Sequence, residues 1–253
     1  MVDELELLID LHRDGERQGP GGADQTRLAL DLSGLREKTG LKIADIGCGT
    51  GASTRVLAQD LDADITALDL VPDFLAGLTD QSQGLGLRGR IETEVCGMDA
   101  LPFAPGALDA IWSEGAIYNL GFERGVSEWR RFLKPGGILA VSELTWFTAE
   151  RPDELNRHWA EHYPEVATAS DKIAVLERAG YALLGYFPLP EACWMEAYYG
   201  PLRARFPDFL ARHENSNEAQ ALLVAEEAEI ALYERYAAYF GYGFYVARVG
   251  TTP

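Results

Sequence analysis

Apolar and polar positions alternate in blocks along most of the chain. Short apolar runs stand at Lys42–Ile46, Ile65–Leu70, Ile91–Cys96, Leu108–Ser113, Ile138–Glu143 and Tyr181–Pro190, with a last run at Phe244–Val249. Each is short enough to predict a strand. Between them lie segments of helical period. Thr50–Asp60 puts Val56, Leu57 and Leu61 on one face, and Glu123–Leu133 does the same with Val126, Trp129, Phe132 and Leu133. Pro72 suits the first turn of a helix predicted to run for about eight residues. Asp171–Ala179 reads as a helix closed by Gly180. The alternation of strand and helix predicts an α/β fold with a parallel, doubly wound sheet.

Two regions depart from that rhythm. Residues 3 to 14 carry Leu5, Leu8, Ile9 and Leu11 at near-helical spacing, and a second helix is expected from near Asp24, with Leu28, Ala29 and Leu32 on one face. The glycine-rich loop between them holds Arg17 and Gln18. From Cys193 to Tyr239 the pattern predicts two or three helices. One lies around Trp194–Arg212, broken by Pro201 and Pro207, and a long one spans about Ser216–Tyr239. The expected division is a single domain, 1–253. It has an N-terminal helical cap at 1–34, a core at 35–190 and 241–253, and a helical insertion at 191–240 that is a candidate substrate cap.

The stretch that carries chemistry is I-A-D-I-G-C-G-T-G-A-S, Ile43 to Ser53. An apolar run ends in Asp45, and Gly47, Gly49 and Gly51 follow at every second position. Strand, glycine turn and helix bring a ligand against bare backbone at a helix N-terminus. Asp69 stands near the end of the next strand, 18 residues after Gly51, where a carboxylate can accept hydrogen bonds from both ribose hydroxyls. Dinucleotides and S-adenosylmethionine both fit this much. The dinucleotide fingerprint is G-x-G-x-x-G, aimed at a pyrophosphate. Here the run is G-x-G-x-G, and Asp45 would repel a pyrophosphate but attract the ammonium of a methionine moiety.

On those residues the chain resembles the class I S-adenosylmethionine-dependent methyltransferases, with A-D-I-G-C-G-T-G as the first motif and L-D-L at Leu68–Leu70 as the second. Gly97-Met98-Asp99-Ala100-Leu101-Pro102-Phe103 is similar to the third motif, Asp109–Ser113 to the fourth strand, and Leu133-Lys134-Pro135-Gly136-Gly137 to the turn before the fifth. The resemblance covers roughly residues 35–190 and is nearest to the small-molecule, type 11 branch that includes ubiquinone and menaquinone biosynthesis enzymes. It implies a Rossmann-like sheet of seven strands in the order 3-2-1-4-5-7-6, the seventh antiparallel. It also implies that S-adenosylmethionine is the cofactor and S-adenosylhomocysteine the product. The cofactor residues so implied are Asp45, Gly47, Cys48, Gly49, Thr50 and Gly51 of the first motif, then Asp69, Leu70, Met98, Asp99, Ala100 and Ser113. Asp99 meets the adenine amino group, and Arg17 is a candidate for the methionine carboxylate.

The acceptor is sought beyond the carboxyl ends of the strands. Glu114 and Tyr118 follow strand four, and Glu143 and Trp146 close strand five; the insertion adds Trp194, Tyr198 and Tyr199. Glu114, Tyr118 and Glu143 are the catalytic candidates, because a protonated nucleophile needs a base. Tyr118, Trp146, Trp194 and Tyr199 are candidates for an aromatic acceptor pocket. Carboxylates beside aromatics suit an amine or other cation, or a flat acceptor such as a quinol or phenol. His158 and His162 stand at i, i+4, but no third ligand accompanies them, so no metal is expected.

Composition narrows the partners. The 253 residues include 22 basic and 40 acidic side chains, a net charge of −18. Such a field disfavours nucleic acid and anionic membranes and favours a small-molecule acceptor. A homodimer is an open alternative. Three cysteines without a C-x-x-C, no signal peptide and no apolar span of bilayer length point to the cytoplasm. Two rival functions remain at this level: an NAD(P)-binding oxidoreductase, and a catalytically silent S-adenosylmethionine-binding protein.

Overall fold

The computed structural model describes residues 4–87 and 89–250. The start of the first expected helix at residue 3, Arg88 in the glycine-dotted loop and the last three residues of the expected core lie outside the described residues.

The sheet has eight strands: β1 (Leu41–Ile46), β2 (Ala63–Asp69), β3 (Ile91–Val95), β4 (Leu108–Glu114), β5 (Leu133–Trp146), β6 (Ala167–Thr168), β7 (Tyr181–Pro188) and β8 (Phe240–Val249). Their order is β3-β2-β1-β4-β5-β8-β7, with the two-residue β6 beside the end of β5. Setting β6 aside, this is the order expected, with the last strand in sequence antiparallel to both neighbours. β6 escapes prediction because two residues carry no period. β5 is longer than its apolar run at both ends. β8 pairs with it from Ile138 to Trp146, and Leu133 pairs with Leu108 across an irregularity.

Ten helices surround the sheet in the described residues: α1 (Glu4–His12), α2 (Ala23–Ser33), α3 (Ala52–Asp60), α4 (Pro72–Gly84), α5 (Phe122–Trp129), α6 (Asp153–His162), α7 (Ala169–Arg178), α8 (Glu191–Trp194), α9 (Gly200–Arg212) and α10 (Asn217–Tyr236). α4 is longer than the eight residues expected, continuing to Gly84. α8 runs into α9 through a π turn at Met195–Tyr199. The expected breaks at the two prolines do not occur. Pro201 falls in the first turn of α9, where an amide is not needed, and Pro207 is carried inside the helix.

Period-two alternation divides the sheet into two faces. Ile43, Ala110, Trp112, Ile138, Ala140 and Phe244 point to one core, while Ala44, Ile111, Leu139, Val141 and Tyr245 point to the other. The second core is covered by α5 and α7 through Phe122, Val126, Trp129 and Leu176. The first is shared by α1, α2 and α3 with the helices of 191–236. α1 is also clamped to α9 and its end: Asp10 accepts from Arg212 at 2.8 Å and lies 2.9 Å from His213 Nε2, and Arg205 donates to the Leu11 carbonyl at 3.2 Å.

Because α1, α9 and the sheet share one core, Phe209 is central to it, with none of its surface exposed. Phe209→Ala is expected to cost about 3–5 kcal/mol. Urea unfolding should still show one transition by both tryptophan fluorescence and circular dichroism. Two separated transitions would show that the helices of 191–236 unfold on their own.

Candidate active site

The glycine turn lies at the carboxyl end of β1. Gly47 and Gly49 have φ of 68° and 56°, the left-handed region that side chains rarely adopt. A Cβ on Gly47 would fall 2.5 Å from the Ala116 Cβ and 2.6 Å from the Met98 Cε, and one on Gly49 would strike the Gln18 side chain. Asp69, at the end of β2, braces the turn: its carboxylate accepts from Gly49 N–H at 2.9 Å and from Val71 N–H at 3.0 Å. Burial raises its pKa, and those backbone donors pull the other way.

A cavity of about 600 Å³ opens over this turn. Of the sequence candidates, Gly47, Cys48, Gly49, Asp69, Leu70, Met98, Asp99, Arg17, Glu114 and Tyr118 line it. A bare-backbone floor, an acid at the β2 end and a second acid beyond β3 fit a nucleoside carrying a charged tail. A second cavity of about 620 Å³ adjoins it and shares Gln18, Pro20, Phe74, Gly115, Tyr118 and Asn119. Trp194 and Tyr199 line the second cavity, as does Tyr118.

Other candidates are placed elsewhere, each for a visible reason. Asp45 is fully buried beneath α3, where Ser53 and Thr54 donate to its Oδ2 at 2.9 and 2.7 Å and Oδ1 has no partner. It shapes the turn from below and does not line the cavity. Burial, with the nearby Glu114 charge, pushes its pKa up to about 7 against the pull of its two hydroxyl donors. Thr50 faces the N-terminal loop, its hydroxyl donating to the Gly15 and Glu16 carbonyls. Gly51 packs against Leu78. Ser113 donates to the Ile46 carbonyl at 2.8 Å, tying β4 to β1. Ala100 closes a turn on the Gly97 carbonyl, outside the cavity.

The catalytic candidates change most. Glu114 sits at the wall of the first cavity but is already saturated. Its Oε1 accepts from Thr26 at 2.7 Å and Trp112 at 2.9 Å, and its Oε2 from Arg17 at 2.9 Å. This is a strut and a poor base, and it commits Arg17 as well. Glu143 is wholly buried 3.4 Å from Lys172 and lines neither cavity. Burial pushes its pKa up to about 7 despite that ammonium, and burial lowers the pKa of Lys172. Trp146 packs edge-on to Phe240 beneath the Arg151 guanidinium and faces no cavity. Among the described residues no group of three His, Cys, Asp or Glu side chains could hold a metal ion.

Sequence reasoning missed three residues of the second cavity, His12, Glu226 and Glu229. His12 is buried and Tyr198 beside it; the Leu8 carbonyl accepts from His12 Nδ1 at 3.0 Å, so Nε2 is left to accept from the Tyr198 hydroxyl at 3.2 Å. Burial lowers the His12 pKa and keeps it neutral. Glu226 and Glu229 line the same cavity from α10. The one signal was spacing: these acids fall on the stripe of Leu223, Ile230 and Tyr233, which is otherwise apolar.

Comparison with known proteins places this geometry in a class. Residues 44–141 match the family model described as a methyltransferase domain. That match is in line with the resemblance the chain's motifs carry, and neither rival function is favoured. Phosphoethanolamine N-methyltransferase 3 of Arabidopsis thaliana is 28% identical over 126 residues, 49% of this chain and 24% of its own length. Methyltransferase GfsG of Streptomyces halstedii is 27% identical over 177 residues, 67% of this chain and 60% of its own. The chain therefore spans between a quarter and three-fifths of these relatives. A methyltransferase of Geobacter sulfurreducens, solved with S-adenosylhomocysteine, superposes with a TM-score of 0.84 at 18% identity over 98% of this chain and 99% of its own. At that identity the likeness is one of fold. Among the described residues, no helix is long and apolar enough to cross a membrane.

Two outcomes test the buried acids. A folded-state pKa raised to about 7 means Asp45 holds its proton where the unfolded chain has released it. Stability is then greatest below the ordinary carboxylate range and falls as pH rises toward 7. Asp45→Asn, which cannot ionise, should lose less stability between pH 4 and 8 than the parent protein; an equal loss in thermal midpoint would refute the assignment. Lys172→Met should cost about 3–5 kcal/mol in urea by stranding the Glu143 charge, and Lys172→Met with Glu143→Leu should recover most of it.

Proposed function

We propose that the chain transfers the methyl group of S-adenosylmethionine to a small-molecule acceptor. The observation that carries this is the adjacency of the two cavities, a glycine-floored one with acids at the ends of β2 and β3 and an aromatic one, with a common wall at Gly115, Tyr118 and Asn119. S-adenosylmethionine supplies an already activated methyl on a sulfonium, so the reaction is an in-line displacement by the acceptor's lone pair.

The chain's own residues divide the work. Gly47 and Gly49 let the backbone approach the cofactor, Asp69 accepts from the ribose hydroxyls, and Asp99 accepts from the adenine amino group. Cys48, Leu70 and Met98 complete the walls. Asp69 keeps lone-pair capacity for this role beside the Gly49 and Val71 amides, since a carboxylate offers about four acceptor sites. Tyr118, open to both cavities, orients the acceptor at the junction, while Trp194 and Tyr199 enclose it. The described part of the N-terminal segment and the helices of 191–236 act as the cap that excludes water from the acceptor. Three free cysteines suit a reducing, cytoplasmic setting.

Thermal-shift titration with S-adenosylmethionine and S-adenosylhomocysteine tests the reading, with NAD and NADP as controls. At a hundredfold excess over the dissociation constant the folded state should gain about 2.7 kcal/mol. A response to NAD alone would overturn the reading, and binding without turnover of any acceptor would leave a silent binding protein. Asp69→Ala should weaken S-adenosylhomocysteine by more than about tenfold, roughly 1.4 kcal/mol. An unchanged constant by calorimetry would remove Asp69 from the cofactor site.

A further inference from the structure

The second cavity has a charge pattern of its own. Glu226 and Glu229, one helical turn apart on α10, both open into it, and no lysine or arginine is among its described lining residues. Glu229 accepts from the Tyr199 hydroxyl at 2.9 Å. Glu226 has no hydrogen-bond or ion-pair partner among the described residues. Two carboxylates opening into one hollow repel each other. Burial first and the Glu229 charge second push Glu226 up to about 7, and burial raises Glu229 despite its tyrosine partner. A protein keeps such a pair at a cost unless something positive comes to sit between them.

The walls around those acids are aromatic. Trp194 stacks on Tyr233 with ring centres 4.3 Å apart and leans on Tyr242 at 4.9 Å, and Tyr198 meets Tyr199 at 5.0 Å. These contacts fix the rings, so their faces present a standing negative potential. Glu229 lines this cavity together with Tyr242 and with Tyr118, which opens into both cavities. Tyr242 supplies an independent sign of a ligand. It is 6% exposed and its hydroxyl has no partner among the described residues, yet it lies 3.6 Å from where a Cβ on Gly115 would stand, at the shared wall. At that point the hydroxyl offers a donor and an acceptor to a polar group in the cavity.

We propose that the acceptor is a small organic amine, bound as its ammonium between Glu226 and Glu229 inside the aromatic walls with a polar group against the Tyr242 hydroxyl. One of the two carboxylates takes the ammonium proton, and the freed nitrogen lone pair forms the new N–C bond as the methyl–sulfur bond breaks and S-adenosylhomocysteine leaves. This deepens the methyltransferase reading and rests on it only for the transfer step. The same charge pattern disfavours acceptors whose bound end is a phosphate or carboxylate, since the described lining offers no basic side chain beyond the imidazoles of His12, kept neutral by burial, and His162.

Phenethylamine, 2-phenylethanol and phenylacetate share one ring and differ in charge. Calorimetric titration of the full chain with each, with and without saturating S-adenosylhomocysteine, reads the site directly. The amine should bind about tenfold or more tighter than the alcohol, and phenylacetate weakest. Glu229→Gln and Glu226→Gln should each remove most of that preference while leaving the S-adenosylhomocysteine constant unchanged. Equal binding of amine and alcohol, or tighter binding of phenylacetate, would overturn the proposal even if a variant failed to fold, because the parent protein alone decides it. Failure of S-adenosylhomocysteine to bind would overturn the methyltransferase reading, and the cofactor-free titration would still decide this one.

Discussion

Glu114 is the point on which the molecule's two working surfaces depend. It ends β4 at the carboxyl edge of the sheet, and its two oxygens take three donors from three elements: Thr26 of α2, Trp112 of its own strand and Arg17 of the N-terminal loop. The Arg17 and Glu114 side chains are nearly buried, 10% and 6% exposed. A buried pair held by this many bonds is expensive to break, because either partner alone would be an uncompensated charge. The pair therefore fixes the loop that carries Gln18 and Pro20, and those residues form part of both cavities. Gln18 completes the tie by accepting from the Thr50 amide at 2.8 Å, between Gly49 and Gly51 of the glycine turn.

Around that node the acids fall into two kinds. Asp45, Glu114 and Glu143 are consumed by the fold: hydroxyl donors, a guanidinium and a buried ammonium take up their lone pairs or balance their charge. Asp69, Asp99, Glu226 and Glu229 open into the cavities. The net charge of −18 therefore has a local form as well as a global one. Both cavities present carboxylates to their contents, which accords with a sulfonium in one and an ammonium in the other.

The glycine turn and the acid beyond it were legible because their determinants are local. Gly47 and Gly49 need positive φ whatever surrounds them, and Asp69 follows at a distance set by one helix and one strand. The order of the long strands was legible for the same reason, since alternation and right-handed crossover leave few topologies. What failed were roles that depend on the far side of a side chain. Glu114 and Glu143 occupy strand ends, where catalytic acids are found, but their partners Arg17, Thr26 and Lys172 come from segments distant in sequence. Trp146 is aromatic and near the site, yet its strand register turns it toward Phe240.

The sequence by itself determined the glycine turn, the acid that braces it, the doubly wound sheet and the identity of the domain, because each is written in spacings of a few residues to a few tens. Only the tertiary structure decided which acids are free. It also decided that α1 and α10 contribute His12 and Glu229 to one hollow, and that this hollow meets the glycine turn at Tyr118. The reason is physical: burial and pairing are properties of surroundings assembled from across the chain, and a residue's own neighbours in sequence carry no record of them.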